Sequence, residues 1–136
     1  MSEPIEMVEE CPKMHLKHAS DERCPLQALL ARLGDKWSML VIIALATAPK
    51  QRGRFSYLMR EVGGVSQRML TTTLRHLERD GIVTRHIFAE VPPRVEYALT
   101  DLGRSLLQPV KALVGWIEGH WPQIEESRQD YDGRAE

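Results

Sequence analysis

The feature that most constrains the fold is a pair of amphipathic segments on either side of the glycine pair Gly63–Gly64. In the first segment, Phe55–Val62, apolar residues recur at positions i, i+3, i+4 and i+7, the spacing of one helix face. The second segment begins at Ser66, a favourable N-cap residue, and ends at Gly81. Two helices joined by a short turn that contains glycine are typical of a helix-turn-helix unit.

The second of these helices is predicted to have a basic outer face. At about 100° per residue its leucines cluster on one side, which we expect to face the core. These leucines are Leu70, Leu74 and Leu77. The opposite side carries Arg68, Thr72, Arg75 and Arg79, flanked by Thr71 and His76. A solvated helix face usually mixes charges of both signs, so this stripe indicates an anionic partner; the alternative is a solvated basic face on a small helical core.

The same helix holds three consecutive threonines, Thr71–Thr73, although threonine is a mediocre helix former. A threonine offers a hydroxyl to a base or phosphate and a methyl to thymine, and arginine pairs bidentately with guanine. We therefore predict that the N-terminal turns of this helix enter the major groove of DNA, whereas Thr73 fills the edge of the core. The predicted DNA-binding residues are Ser66, Gln67, Arg68, Thr71, Thr72 and Arg75, with Lys36, Arg54 and Arg79 as weaker candidates for phosphate contacts.

Residues 82–100 are predicted to form two strands around the turn Pro92–Pro93. A helix-turn-helix followed at once by a two-stranded hairpin is a winged helix. The stiff turn presents Arg94, which suits insertion into a minor groove or contact with a phosphate. The alternative is a hairpin shaped by proline that carries a solvated arginine.

The remaining segments are predicted to be helices on either side of this unit. One helix starts at Pro25 and ends at Gly34, and a second, apolar nearly all round, begins near Asp35. Residues 49–54 are expected to be a basic loop. Thr100 is expected to cap a long last helix that is kinked or interrupted at Pro109. We expect three parts: a flexible or partner-clasping arm (1–22), the winged helix-turn-helix domain with its terminal helices (23–122), and a frayed acidic tail (123–136).

Three stretches resemble one known family: CPLQALLARLGDKWSMLVI, GRFSYLMREVGGVSQRMLTTTLRHLERDGIVTR and EVPPRVEYALTDLGRSLL. From about residue 24 to residue 107 the chain resembles the HxlR-type winged helix-turn-helix transcriptional regulators, relatives of the MarR group. It departs from the family pattern at Asp35, where a second glycine is common, and at Tyr57, where an acidic residue is frequent. The resemblance implies a mainly α fold with a small β-hairpin wing, and a homodimeric repressor or activator that binds double-stranded operator DNA.

The resemblance also implies that the first and last helices build the dimer. The last helix carries an apolar stripe that is compatible with this role. The stripe consists of Leu102, Leu106, Val110, Leu113 and Ile117, with Trp116 and Trp121 nearby. A two-fold dimer reads two half-sites and so contacts enough DNA for specific binding. The alternative is that the stripe closes the core of the single chain.

Cys24 directly precedes Pro25 and therefore lies at a predicted helix N-terminus, where a thiolate is favoured. Several HxlR-type regulators sense quinones, aldehydes or oxidants through a cysteine at this position. By resemblance, Cys24 is the candidate sensor, and Cys11 is a candidate resolving or intermolecular partner. The alternative is that Cys24 is a small buried hydrophobic residue. A small ligand is the other class of effector that we consider.

Cys11, His15, His18 and Cys24 include both ligand types that zinc prefers. Their spacings lack the paired short knuckle of structural zinc sites, and we predict no metal site and no cofactor. The chain also lacks a nucleophile elbow, a phosphate-binding glycine loop and a supported acid pair. We therefore do not expect an enzyme.

We expect the protein to be cytoplasmic and its charge to be distributed unevenly along the chain. The formal net charge is −1, but residues 50–104 carry ten Lys/Arg against six Asp/Glu, and both ends of the chain are acidic. A basic middle is the electrostatic footprint expected of a phosphate-binding surface. The chain lacks an apolar run long enough for a membrane helix and a recognisable secretory signal.

Two rival functions are a winged helix that binds only proteins and an enzyme that uses the Cys24 thiol.

Overall fold

The computed structural model describes residues 25–135. The predicted fold class is confirmed: a mainly α chain with a small antiparallel sheet. The helices are α1 (Pro25–Leu33), α2 (Lys36–Thr47), α3 (Phe55–Val62), α4 (Gln67–Arg79), α5 (Asp101–Ser105) and α6 (Leu107–Ala135). The strands are β1 (Arg52–Arg54), β2 (Val83–Phe88) and β3 (Arg94–Leu99), and a 3₁₀ turn (Pro49–Gln51) precedes β1.

The first two helices begin and end close to the predicted residues. Pro25 is the first residue of α1, and Gly34 follows its last residue. The Asp35 carboxylate caps α2 by accepting the backbone N–H of Ser38 at 3.0 Å. Val41 and Ile42 are completely buried, so α2 passes through the core, as its apolar sequence predicted.

The turn between α3 and α4 has the predicted chemistry. Gly63 and Gly64 have φ values of +69° and +80°, which residues with a Cβ rarely adopt. The hydroxyl oxygen of Ser66 accepts the backbone N–H of Met69 at 3.0 Å and so caps α4. These two local features set the angle at which α4 leaves the turn.

One hydrophobic core connects these helices to the sheet. Its largest side chains come from α2, α3, α4, β2 and β3, and all of them are almost completely buried. They are Ile42, Leu45, Leu58, Leu70, Leu74, Leu77, Val83 and Leu99. The three leucines predicted to face the core from α4 are among them. The outer side of α4 is therefore held on the surface.

The sheet has three strands in the order β1–β3–β2, and β1 corrects our expectation of a basic loop at residues 49–54. Arg52 pairs with Ala98, and Arg54 pairs with Glu96. The three residues of β1 carry no apolar alternation, so the sequence gives no strand signal. Their extended conformation follows from backbone pairing with β3.

The C-terminal region differs from the prediction in two ways. The helical region is interrupted at Leu106, between α5 and α6, rather than at Pro109. Pro109 lies in the first turn of α6, where a missing N–H and a fixed φ are tolerated. The expected frayed tail is helical, because α6 continues through Pro122 to Ala135.

Only the beginning of α6 packs against the domain in the described chain. Val110 is 8% exposed, whereas Leu113, Trp116 and Ile117 are 44–54% exposed. The apolar stripe therefore closes the core with its first residues and leaves the others on the surface. Within residues 25–135, no helix combines the length and apolarity needed to cross a membrane.

Candidate nucleic-acid interface

The outer face of α4 forms an open concavity of about 630 Å³. The side chains that line it come from the first three turns of the helix: Gln67, Arg68, Thr71, Thr72 and Arg75. All five are predicted DNA-binding residues. Gln67, Arg68 and Arg75 are exposed, and the two threonines are half-buried. The structure thus brings two guanidinium groups, an amide and two hydroxyls to one surface.

The three threonines of α4 occupy different environments. The hydroxyl of Thr71 donates to the carbonyl of Gln67 at 2.8 Å, so its oxygen can still accept a hydrogen bond. Thr73 is 3% exposed and packs in the core, as predicted. Short side chains at Thr71 and Thr72 leave the helix backbone open to a close approach from outside.

Ser66 is both a predicted site residue and the cap of α4. Its oxygen accepts the Met69 N–H, and its own hydroxyl proton remains able to donate to a phosphate. Met69 is 40% exposed beside it. The N-terminal end of α4 therefore presents backbone N–H groups, a hydroxyl and an apolar side chain on the surface.

The wing does not present Arg94 as we expected. The Arg94 guanidinium is folded back onto the hairpin, with Nη1 3.1 Å from a Glu90 oxygen and Nε 3.3 Å from a Glu96 oxygen. It also stacks on Phe88, with the guanidinium carbon 4.1 Å from the ring centroid. The sequence contains Glu90 and Glu96 on either side of the stiff turn, but it did not show that they bind Arg94, because they meet it only when the hairpin closes.

Arg85 and Tyr97 are candidate site residues that we did not predict. They are paired in the sheet, and the alternation of β2 puts Arg85 on the same face as the buried Val83. Arg85 Nε is 3.9 Å from a carboxylate oxygen of Glu78 in α4. The period-two pattern of β2 predicts that Arg85 shares a face with Val83, but the position of that face beside α4 is a feature of the tertiary structure.

The pKa of Tyr97 depends on the charges around it, where the wing meets α4. Burial raises the pKa of the Tyr97 phenol above its ordinary value of 10.0, and Glu78 raises it further. The charges of Arg85 and Arg75 oppose this effect by favouring the phenolate. Arg85 of the wing and Arg75 and Glu78 of α4 therefore all lie close enough to Tyr97 to influence its phenol.

The weaker phosphate candidates lie outside the concavity. Lys36 is at the start of α2, with Nζ 4.6 Å from the ring centroid of Trp37. Arg54 is exposed at the N-cap position of α3, and Arg79 is exposed in the last turn of α4. Each of these cations is accessible from outside, at a separate point on the rim of the domain.

The predicted redox and metal residues Cys11, His15, His18 and Cys24 lie outside the described residues. Between residues 25 and 135 the structure contains no cluster of three or more His, Cys, Asp or Glu side chains that could hold a metal ion.

A helix-turn-helix whose second helix exposes a basic face, followed by a two-stranded wing, defines a winged helix-turn-helix protein. The model of the HxlR-like helix-turn-helix family matches residues 32–125. The chain therefore belongs to this family, and the resemblance seen in the sequence is confirmed.

Individual relatives agree with this assignment. The HTH-type transcriptional regulator YtfH of Escherichia coli (strain K12) is 39% identical over 109 residues, covering 80% of this chain and 84% of YtfH. The solved structure of the transcriptional regulator ytfH from Salmonella typhimurium has 41% identity and a TM-score of 0.70, covering 79% of this chain and 94% of that chain. The redox regulator HypR in its reduced form has 36% identity and a TM-score of 0.68, covering 75% and 98% of the two chains.

Proposed function

We propose that this transcriptional regulator acts as a homodimer and binds double-stranded operator DNA through the outer face of α4. The observation that carries the proposal is the concavity on that face, which is lined by Gln67, Arg68, Thr71, Thr72 and Arg75. Its guanidinium, amide, hydroxyl and methyl groups are those that read base edges in a major groove. The dimensions of a major groove also admit one α-helix.

Four further cations are proposed to contact phosphates around this helix: Lys36, Arg54, Arg79 and Arg94. Arg94 is already paired with Glu90 and Glu96, so it reaches DNA by exchanging one carboxylate for a phosphate. Arginine has five N–H donors in a planar fork and can bind the phosphate and the remaining carboxylate at the same time. We add Arg85 to the proposed surface because it lies beside α4.

The dimer is proposed to form through the exposed part of the α6 stripe together with α1. In α6, Leu113 and Ile117 are 47% and 44% exposed, and in α1 Leu29 and Leu30 are 46% and 55% exposed. Exposed apolar residues in helical register on two helices are typical of an interface between subunits. Replacing Leu113 and Ile117 by glutamate should therefore shift the protein from dimer to monomer in analytical ultracentrifugation.

The effector is proposed to be an oxidant or electrophile that reacts with Cys24, with Cys11 as the partner thiol. HypR, which is similar to this chain, is named as a redox regulator. A small ligand bound between the dimer helices and the winged domain is the competing proposal. We place the protein in the cytoplasm and assign it no catalytic activity.

Fluorescence anisotropy on DNA that flanks the gene of this protein tests the function. We expect tight binding that weakens steeply with salt, because neutralised phosphates release counterions. Replacing Arg68 and Arg75 by alanine should lower the affinity by about a hundredfold or more, since one bidentate arginine–guanine pair contributes about 1–3 kcal/mol. The matched control is the double replacement of Arg128 and Arg134, two exposed arginines of α6, which should bind normally.

Two results would overturn parts of this proposal. Unchanged affinity in the folded Arg68/Arg75 double variant would exclude α4 as the reading helix. DNA binding that is weak in the native protein and insensitive to Arg68 would favour a module that binds proteins. Oxidant or quinone should change the affinity of the native protein but not of Cys24→Ser. An identical response in Cys24→Ser would remove Cys24 as the sensor and leave the regulator intact.

A further inference from the structure

Arg32, in the last turn of α1, contacts the last turn of α4. Its Nε lies 3.2 Å from a carboxylate oxygen of Asp80, and its Nη1 lies 2.9 Å from Nδ1 of His76. The contacting residues are 44 and 48 positions away in sequence. The Arg32 and Asp80 side chains are 26% and 28% exposed, so this ion pair is partly shielded from water. One side chain thus links α1 to the DNA-reading helix.

The geometry of this contact restrains rotation as well as distance. His76 and Asp80 are separated by one helical turn, and the Asp80 N–H bonds to the His76 carbonyl at 3.0 Å. The planar guanidinium of Arg32 binds both side chains with different nitrogens, so a rotation of α4 about its axis would break one of the two contacts. Because arginine can only donate, the Nδ1 of His76 must be the acceptor.

Among the side chains of α1 whose burial is described, Arg32 adds a directional contact to the apolar ones. Leu33 packs against the core, but Leu29 and Leu30 are about half exposed. Apolar packing is not directional, whereas a two-point hydrogen-bonded ion pair is. The angle between α1 and the end of α4 is therefore restrained by the Arg32 contact.

We propose that Arg32 is a positioning residue that selects the spacing between the two DNA half-sites. This rests on the proposed function, in which α1 belongs to the dimer platform and α4 reads DNA. In a two-fold dimer, the angle between platform and reading helix sets the separation of the two reading helices. Half-sites that they can occupy together must lie at that separation, roughly one helical turn apart. We assign Arg32 no phosphate contact, because it lies at the C-terminal end of α4, whereas the proposed reading surface is formed by the first turns of that helix.

The test uses full-length protein and palindromic DNA duplexes obtained by selection from random sequence. Each palindrome is prepared with its half-sites moved together or apart by one and two base pairs. We expect the native protein to prefer one spacing by about tenfold or more over a two-base-pair change, because both helices must fit. Arg32→Met should reduce that preference to about twofold, while the dependence of affinity on salt stays unchanged.

Three further variants separate positioning from stability. Asp80→Asn removes the negative charge that pairs with Arg32 and should flatten the spacing preference in the same direction. Arg32→Lys keeps the charge without the fork and should restore the preference only in part. Arg128→Met removes an exposed arginine of α6 and should leave the profile native. Because Asp80→Asn preserves the shape of the side chain, it tests the proposal even where Arg32→Met folds poorly.

The outcomes are distinct. Suppose that the native protein prefers one spacing. If folded Arg32→Met or Asp80→Asn then shows the same preference, the role of Arg32 is overturned and the dimeric regulator remains intact. If the salt dependence of Arg32→Met corresponds to about one phosphate contact fewer than that of the native protein, the role is also overturned, because Arg32 would then contact DNA directly. Native protein with no preference for any spacing overturns both this inference and the proposed reading of two half-sites.

Discussion

Arg94 and Glu90 face each other across the turn of the wing, with Nη1 of the arginine 3.1 Å from Oε2 of the glutamate. The cation at the wing tip is therefore neutralised by its own hairpin, and Glu96 supplies a second carboxylate at 3.3 Å. A phosphate that binds Arg94 must compete with these groups. This arrangement makes Glu90 a determinant of how strongly the wing binds DNA.

Replacing Glu90 by glutamine should raise the affinity for operator DNA about two- to fivefold at low salt, because it removes a competing charge near the phosphates. Arg94→Gln should lower the affinity. It should also reduce the slope of affinity against salt concentration by the amount expected for the loss of about one phosphate contact. Anisotropy titrations at several salt concentrations measure both quantities. Glu118→Gln, in α6, is the control for the loss of one negative charge. A native salt slope in Arg94→Gln would mean that Arg94 stabilises the wing without contacting DNA.

Replacing Ser66 by alanine should lower the free energy of unfolding by about 1 kcal/mol, because the Met69 N–H loses its acceptor. Urea denaturation at a fixed protein concentration measures the change, since a dimer's stability depends on concentration. Ser66→Asp should retain most of the stability because aspartate is also a good cap. Ser56→Ala, at an exposed position of α3, is the control, and an equal loss there would contradict the capping role.

Replacing Gly103 by alanine should destabilise the protein by about 1–3 kcal/mol, as overpacking does. A Cβ at Gly103 would collide with the backbone carbonyl of Ile82, which a side-chain movement cannot relieve. Gly133→Ala in α6 is the matched control, because no atom lies within 4 Å of the added Cβ. Its expected effect is a gain of about 0.5–1 kcal/mol from helix propensity. Thermal melting of the two variants should therefore shift in opposite directions.

The Tyr97 phenol should titrate above its ordinary pKa of 10.0, chiefly because burial disfavours the phenolate. The folded protein then holds the proton more tightly than the unfolded chain. The resulting stabilisation is present below pH 10 and is lost as the pH rises through the raised pKa. The difference in tyrosinate absorbance between native protein and Tyr97→Phe gives the titration curve. A midpoint below 10 would contradict the burial of Tyr97, and Arg85→Gln should move the midpoint higher still.

Much of the helix-turn-helix unit could be predicted because its signals are local. Ser66 caps the helix that follows it, Gly63 and Gly64 adopt the positive φ values that a tight turn requires, and the core leucines of α4 recur at helical spacing. The five residues that line the concavity follow from the same periodicity. Each of these features depends on residues within a few positions of one another, so the amino-acid order determines it directly.

The sequence by itself thus determined the helices α1 to α4, the hairpin and the basic composition of the outer face of α4. Only the tertiary structure decided that residues 52–54 form a strand, that Arg94 is paired rather than presented, and that Arg85 lies beside α4. The contact of Arg32 with His76 and Asp80 belongs to the same group. The pairing of residues 52–54 with β3 and the contacts of Arg32 join segments that are distant along the chain. Arg94 and Arg85 have partners nearby in sequence, but they meet them only because the hairpin folds back on itself and packs beside α4.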